Sequence, residues 1–217
     1  MDFSWTAQQI ALWNDICQFA RTELPTDDLF QRDHNGTFVQ ADWQRCASKG
    51  LFGLALPQTY GGSGFDLVTT IHALEALGYG CPNNGFTLAV NGQTWSVAMP
   101  ILRFGTEAQR ERYLPRLVNG TLKGAHAVTE PEAGSDVFSL TTTATPTSGG
   151  YLLNGRKTFI GMGPIADVFV LFATVNPQHG RWGITAFIVD AKSSGLSQEA
   201  PRDKMGLRTE PMGDVYL

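Results

Sequence analysis

The apolar positions change their spacing part-way along the chain. From Thr6 to Leu24, the residues Ile10, Trp13, Ile16, Cys17, Ala20 and Leu24 recur every three or four positions, which places them on one face of a helix. Thr6 and Gln9 form a capping-box pair at its start. A second, short helix is predicted from Ala41 to Lys49, stopped by Gly50, and Leu51 to Gly64 reads as a loop broken by Pro57, Gly61, Gly62 and Gly64. Asp66 is placed to cap the next helix, with Leu67, Ile71, Leu74 and Leu77 as its apolar face before Gly78. After the turn Cys81-Pro82-Asn83-Asn84, residues Phe86 to Phe104 predict a largely buried helix kinked at Pro100. Thr106 and Gln109 repeat the capping box ahead of Tyr113, Leu114, Leu117 and Val118.

Beyond Gly120 the period falls to two. Leu140, Thr142 and Ala144 alternate, and Gly124 to Val128, Val168 to Val175 and Gly183 to Val189 are apolar runs of strand length. Tyr151 to Leu153 is predicted to pair with Arg156 to Ile160 across Asn154-Gly155, a strong hairpin signal. Helices first and strands afterwards define an α+β chain, with an all-α domain over 1–120 and an antiparallel β-domain over 121–217.

Composition narrows the function. A net charge of −4 lacks the basic face that nucleic-acid binding requires. The three cysteines, Cys17, Cys46 and Cys81, are far apart, with no CxxC pair and no histidine at ligand spacing, so reduced thiols are expected and a zinc site is not. Asp2 stands where a signal peptide would carry basic residues, and no run approaches the length of a membrane span, so a cytoplasmic location is expected. Asn35-Gly36-Thr37 and Asn119-Gly120-Thr121 match the glycosylation pattern but read as turns. His34, His72, His126 and His179 share no metal or triad spacing.

One loop concentrates chemistry. Thr129-Glu130-Pro131-Glu132-Ala133-Gly134-Ser135-Asp136 follows a predicted strand and gathers small, hydroxylated and turn-forming residues. Such a loop can aim successive N–H groups at an anion, with Thr129 and Ser135 adding side-chain donors, although the same residues also suit an ordinary turn. Glu130 could equally cap backbone, and Phe159 and Ile160 could equally be core. Gly161, Gly163 and Ala166 spell GxGxxA, but Pro164 intervenes and a strand follows where a dinucleotide motif needs a helix.

The run from His126 to Asp136 resembles the FAD-binding signature of the acyl-CoA dehydrogenase family, with Glu132 where glycine is commoner. Further resemblances follow in order: Leu56 to Gly62, Arg103 to Thr106, Tyr113 to Pro115, Leu153 to Lys157 and Lys204 to Arg208. Ile165 to Phe169, Asn176-Pro177 and His179-Gly180 are similar to members that oxidise prolyl groups on carrier proteins. The resemblance implies that His126, Val128, Thr129, Gly134 and Ser135 line the flavin and its diphosphate, with Thr129 at the pyrimidine edge and Ser135 also able to touch substrate. It implies that Phe159, Ile160 and Gly161 stand beside the isoalloxazine. Gly161 replaces the family's usual threonine or serine and so removes one hydroxyl near flavin N5.

Members of this family continue into a C-terminal four-helix domain that normally supplies a catalytic glutamate, and this chain is expected to lack it. No acidic residue here matches the motif of that base, so no catalytic residue is assigned. The expected activity is FAD-dependent α,β-dehydrogenation of an acyl thioester, on coenzyme A or a carrier protein, with an electron acceptor. Three readings are open. The chain is one half of a split enzyme that captures a helical partner in a hetero-oligomer or else self-associates, a fragment of a complete enzyme, or a noncatalytic flavin-binding or interaction module.

Overall fold

The computed structural model describes residues 4–217; Asp2, whose charge bears on a signal peptide, lies outside the described residues. Helix α1 (Ala7–Glu23) begins where its cap predicts: Thr6 Oγ1 accepts from the Gln9 N–H at 3.2 Å and Gln9 Oε1 accepts from the Thr6 N–H at 2.9 Å. Helix α2 (Leu29–Asn35) has no counterpart in the periodicity, because none of its residues is buried. It is held by the Arg32 ion pairs with Asp28 at 2.6 Å and Asp42 at 2.9 Å and closed by left-handed Gly36. Asn35-Gly36 is thus a helix stop, as is Asn119-Gly120 after the later helix Glu107–Val118. Helix α3 (Gln40–Ser48) ends through Lys49 into left-handed Gly50, and the expected loop beyond it holds short 3-10 turns at Leu51–Gly53 and Gln58–Tyr60.

Asp66 caps α4 (Leu67–Gly80) by accepting from the Thr69 N–H at 2.8 Å, but the apolar face predicted for this helix is wrong in part. Leu67 and Ile71 are 59% and 53% exposed, and the buried side carries Thr69, Thr70, Ala73, Leu74, Ala76, Leu77 and Gly80. Small residues win because they let α4 and α1 approach closely: a Cβ added to Gly80 would lie 2.6 Å from the Cys17 carbonyl oxygen. Around Pro100 the helical ladder changes its hydrogen-bond pattern. The helix continues from α5 (Asn84–Gly92) through a π-helical stretch, Gln93–Ala98, into α6 (Met99–Phe104). Met99 donates to the Thr94 carbonyl, so the ladder has already slipped by one residue before the proline that has no N–H to offer. Helix α7 (Glu107–Val118) starts at the second capping box.

Two compact units emerge, one holding residues up to Thr121 together with Lys204–Glu210, the other holding Leu122–Asp203 and Pro211–Leu217. In the first, Trp43, Phe52, Leu77, Leu114 and Leu117 are buried. Its late segment is tied in by Arg208 N–H to Asp33 Oδ1 at 2.9 Å and by Thr209 Oγ1 to Asn83 Oδ1 at 2.5 Å. No described helix is long and apolar enough to cross a membrane.

The second unit is built of β1 (Gly124–Ala127), β2 (Thr143–Thr147), β3 (Gly150–Asn154), β4 (Arg156–Gly161), β5 (Val168–Thr174), β6 (Ile184–Asp190), β7 (Ser197–Gln198) and β8 (Met212–Tyr216). Strands β1, β2, β3, β5 and β6 form one sheet around buried β5, and β4, β8 and β7 form another. Most ladders are antiparallel as expected, yet β1 runs parallel to β5, from Gly124↔Val168 to Ala127↔Leu171, and β2 meets β5 in parallel at Thr143↔Thr174. The first sheet is therefore mixed, which the long connection from β1 to β5 permits because no tight turn sets their sense.

The predicted hairpin across Asn154-Gly155 does not form. Strand β3 turns back on β2 through Ser148-Gly149, with Thr147 opposite Gly150, while β4 leaves for the other sheet and pairs with β8. Gly155 is needed for close approach instead: an added Cβ would sit 2.4 Å from Thr142 Oγ1.

Candidate functional site

Strand β1 delivers the loop that carries the predicted chemistry. His126 and Val128, two residues apart, share one face and line a groove of about 490 Å³ with Phe138, Phe172 and Arg181, the His126 ring meeting Phe172 edge-on at 5.3 Å. The chain then folds into a tight turn in which Glu130 and Ala133 exchange backbone hydrogen bonds of 3.0 and 3.1 Å. Gly134, Ser135 and Asp136 emerge exposed from it.

The turn is anchored from below by a buried ion pair that sequence reasoning did not find. Lys157 Nζ, on β4, lies 2.7 Å from Glu130 Oε1 and donates to the Val128 carbonyl at 3.1 Å; its side chain is wholly buried. Glu130 also accepts from the Thr141 N–H at 2.6 Å, the Thr141 hydroxyl at 2.8 Å and the Thr142 N–H at 3.0 Å. Burial opposes ionisation of Glu130, but Lys157, Thr142 and Thr141 outweigh it and hold the carboxyl at about 2. Burial pulls the Lys157 ammonium below the usual lysine range against the pull of Glu130. The carboxylate, with more donors than the ammonium has acceptors, keeps the pair charged. Glu130 is therefore a structural cap and counter-ion. The signal available in the sequence was Lys157 itself, a cation inside a strand, which demands a partner when buried.

The same strand brings the other predicted residues to the loop. The N–H of Thr158 donates to the Thr129 carbonyl at 2.8 Å, so β4 fastens Thr129 one residue away from Phe159. Strict alternation would send Phe159 to the same side as Lys157, inward. Instead, the register of β4 on β8 shifts between Lys157 and Ile160, and Phe159 takes φ 56°, a left-handed conformation that costs an L-residue about 1–2 kcal/mol. The bulge leaves Lys157, Thr158 and Ile160 buried and turns the Phe159 ring outward, 56% exposed. The Ile160 side chain is thus core, and only its backbone is available to a ligand; Gly161 pairs with Met212. An exposed aromatic on a strained backbone is neither core nor random surface, and such strain concentrates at functional sites.

Behind this strand sits a second buried carboxylate, also missed in the sequence. Asp214, on β8, accepts from Arg156 Nε at 2.8 Å, Thr158 Oγ1 at 2.8 Å and Arg202 Nε at 3.0 Å. Burial pushes its carboxyl up, but Arg202, Arg156 and Thr158 hold it at about 2.

The described residues of the turn offer a fixed set of unpartnered donors. The hydroxyls of Thr129 and Ser135 have no protein partner among the described residues, and a Cβ added to Gly134 would meet nothing within 4 Å. The arrangement presents a donor-lined, open loop beside an exposed aromatic ring, suited to a ligand with an anionic part and a flat part.

Comparison with known proteins points the same way. Residues 6–121 match the model of the acyl-CoA dehydrogenase N-terminal domain and residues 125–217 that of its middle domain. An L-prolyl peptidyl-carrier-protein dehydrogenase of Pseudomonas fluorescens is 41% identical over the whole chain, which spans 57% of that relative's length. The crystal structure of the prolyl acyl carrier protein oxidase AnaB superposes with a TM-score of 0.96 at 42% identity, covering 99% of this chain and 56% of the other. The FAD complex of PigA superposes with a TM-score of 0.95 at 33% identity, covering 100% of this chain and 56% of that one. Matched along nearly its whole length by these two domain models, the chain belongs to the acyl-CoA dehydrogenase family.

Proposed function

We propose that the chain forms the FAD-holding part of an acyl-thioester dehydrogenase acting on prolyl or related aminoacyl groups carried by a carrier protein. The observation that carries this reading is the juxtaposition of the Thr129 to Ser135 donor loop with the outward-turned Phe159, fastened together by Lys157 and Thr158. The residues fit the cofactor: free hydroxyls and an open glycine suit a diphosphate and a pyrimidine edge, and an exposed ring suits stacking on a flat heterocycle. When bound, FAD supplies the two-electron acceptor for dehydrogenation. Thr129 and the amides of its loop would hold the anionic and pyrimidine parts of the cofactor and would stabilise negative charge there, and Phe159 would shield the flat ring from water. The resemblance of the 41% identical relative and of AnaB supports the carrier-bound prolyl class over free coenzyme A thioesters.

Removing a proton α to a thioester carbonyl needs a positioned base. In this site Glu130 is buried against Lys157 and Asp214 is held by two arginines, so neither is free to take a proton. The base in this reading comes from a helical domain outside these 217 residues. The test is anaerobic bleaching of the flavin absorbance on mixing with prolyl-carrier protein or acyl-coenzyme A, for the chain alone and for the complex that copurifies with it. Bleaching by the complex with prolyl-carrier protein is the expected result. Rapid bleaching by the chain alone would overturn the assignment of the base, and preference for acyl-coenzyme A would overturn the substrate class.

A further inference from the structure

Phe159 holds an unfavourable backbone conformation with its ring largely outside the core, so packing alone does not keep it in place. From the protein side, the Arg202 guanidinium carbon lies 4.9 Å from the ring centroid. Arg202 is itself fixed. Its Nε and Nη2 reach Asp214 Oδ1 at 3.0 and 2.8 Å, and its N–H donates to the Met212 carbonyl at 2.7 Å. The carboxylate that grips it also accepts from Thr158 Oγ1, the neighbour of Phe159, so one buried anion orders both the strained backbone and the cation lying on the ring.

From this geometry we infer that Arg202 is a positioning residue for the flavin wall: it clamps one face of Phe159 and presents the opposite face to the isoalloxazine. The inference rests on the FAD reading above. A guanidinium over an aromatic face is attracted by the ring quadrupole, and its planar fork loses little freedom when Asp214 already holds it. Arg156 supplies the control that the structure builds in. It holds the other oxygen of Asp214 through Nε at 2.8 Å and Nη2 at 2.6 Å, yet its guanidinium lies over Tyr216 and not over Phe159.

The experiment places para-fluorophenylalanine at position 159 of the full chain and compares wild type, Arg202→Gln, Arg202→Lys and Arg156→Gln. The readouts are the fluorine NMR shift without cofactor and FAD affinity by calorimetry. Arg202→Gln is expected to move the fluorine signal toward its position in the urea-unfolded chain and to weaken FAD binding about fivefold to tenfold, the scale of one lost aromatic contact. Arg202→Lys should recover part of both, and Arg156→Gln should leave both near wild type while lowering thermal stability. A merely structural role for Arg202 predicts that Arg156→Gln and Arg202→Gln behave alike, and that result overturns the inference. An unmoved fluorine signal, or a moved signal with unchanged FAD affinity, overturns it too and leaves the FAD reading standing. Absence of FAD binding by the wild-type chain and by its copurified complex overturns the FAD reading, and the inference with it.

Discussion

Replacing Lys157 by Met removes the ammonium from a wholly buried site while keeping a side chain of similar length. Glu130 then retains its three donors from Thr141 and Thr142 but loses its counter-charge, and the Val128 carbonyl loses its partner. Leaving one member of a buried pair uncompensated costs about 3–5 kcal/mol, which for a chain of this size lowers the melting temperature by about 6–20 °C. Scanning calorimetry at pH 7 measures it, with Lys192→Met at an exposed position as the control. Lys157→Met combined with Glu130→Gln should recover part of the loss, because no buried charge is then left unpaired. The pH dependence gives an independent check. The folded value for Glu130, about 2, lies below its ordinary 4.5, so its contribution is complete above about 4.5 and is lost as pH falls toward 2. Without the ammonium the carboxylate protonates more readily in the folded state, so the gap between wild type and Lys157→Met should close over that window. A loss under about 1 kcal/mol at pH 7, or a gap that does not narrow in acid, refutes the assignment of this pair as the anchor of the loop.

Two further outcomes are expected. Thr129→Ala with Ser135→Ala should weaken FAD binding by about 1–3 kcal/mol in whatever assembly holds the cofactor, while leaving the fold intact because neither hydroxyl has a protein partner among the described residues; unchanged affinity by calorimetry would remove the loop from the site. Gly155→Ala should destabilise the β-unit by about 1–3 kcal/mol, since the new methyl would lie 2.4 Å from Thr142 Oγ1 and 2.9 Å from the Thr142 Cα, and a denaturant midpoint equal to wild type would contradict the crossover packing.

Local chemistry was enough to read much of this molecule. The capping pairs Thr6 with Gln9 and Thr106 with Gln109, the cap at Asp66 and the stop at Gly50 act within one turn of backbone, so they are legible wherever the chain folds. The ordered motifs around His126 to Asp136 named the family for the same reason: they are contiguous in the chain. Where partners are distant, the sequence misled or was silent. The face of α4 was misjudged because small residues that dock on α1 outweighed Leu67 and Ile71, and nothing in the helix's own sequence states what it will meet. Asn154-Gly155 had the chemistry of a hairpin turn, but β4 found its hydrogen-bond partner in β8, more than fifty residues later. The site divides along the same line. Its donors were legible in the loop, whereas the grip of Lys157 on Glu130, the grip of Asp214 on Arg202, and the left-handed turn that exposes Phe159 exist only once the strands have paired, because each depends on charges brought out of water beside partners far away in the chain.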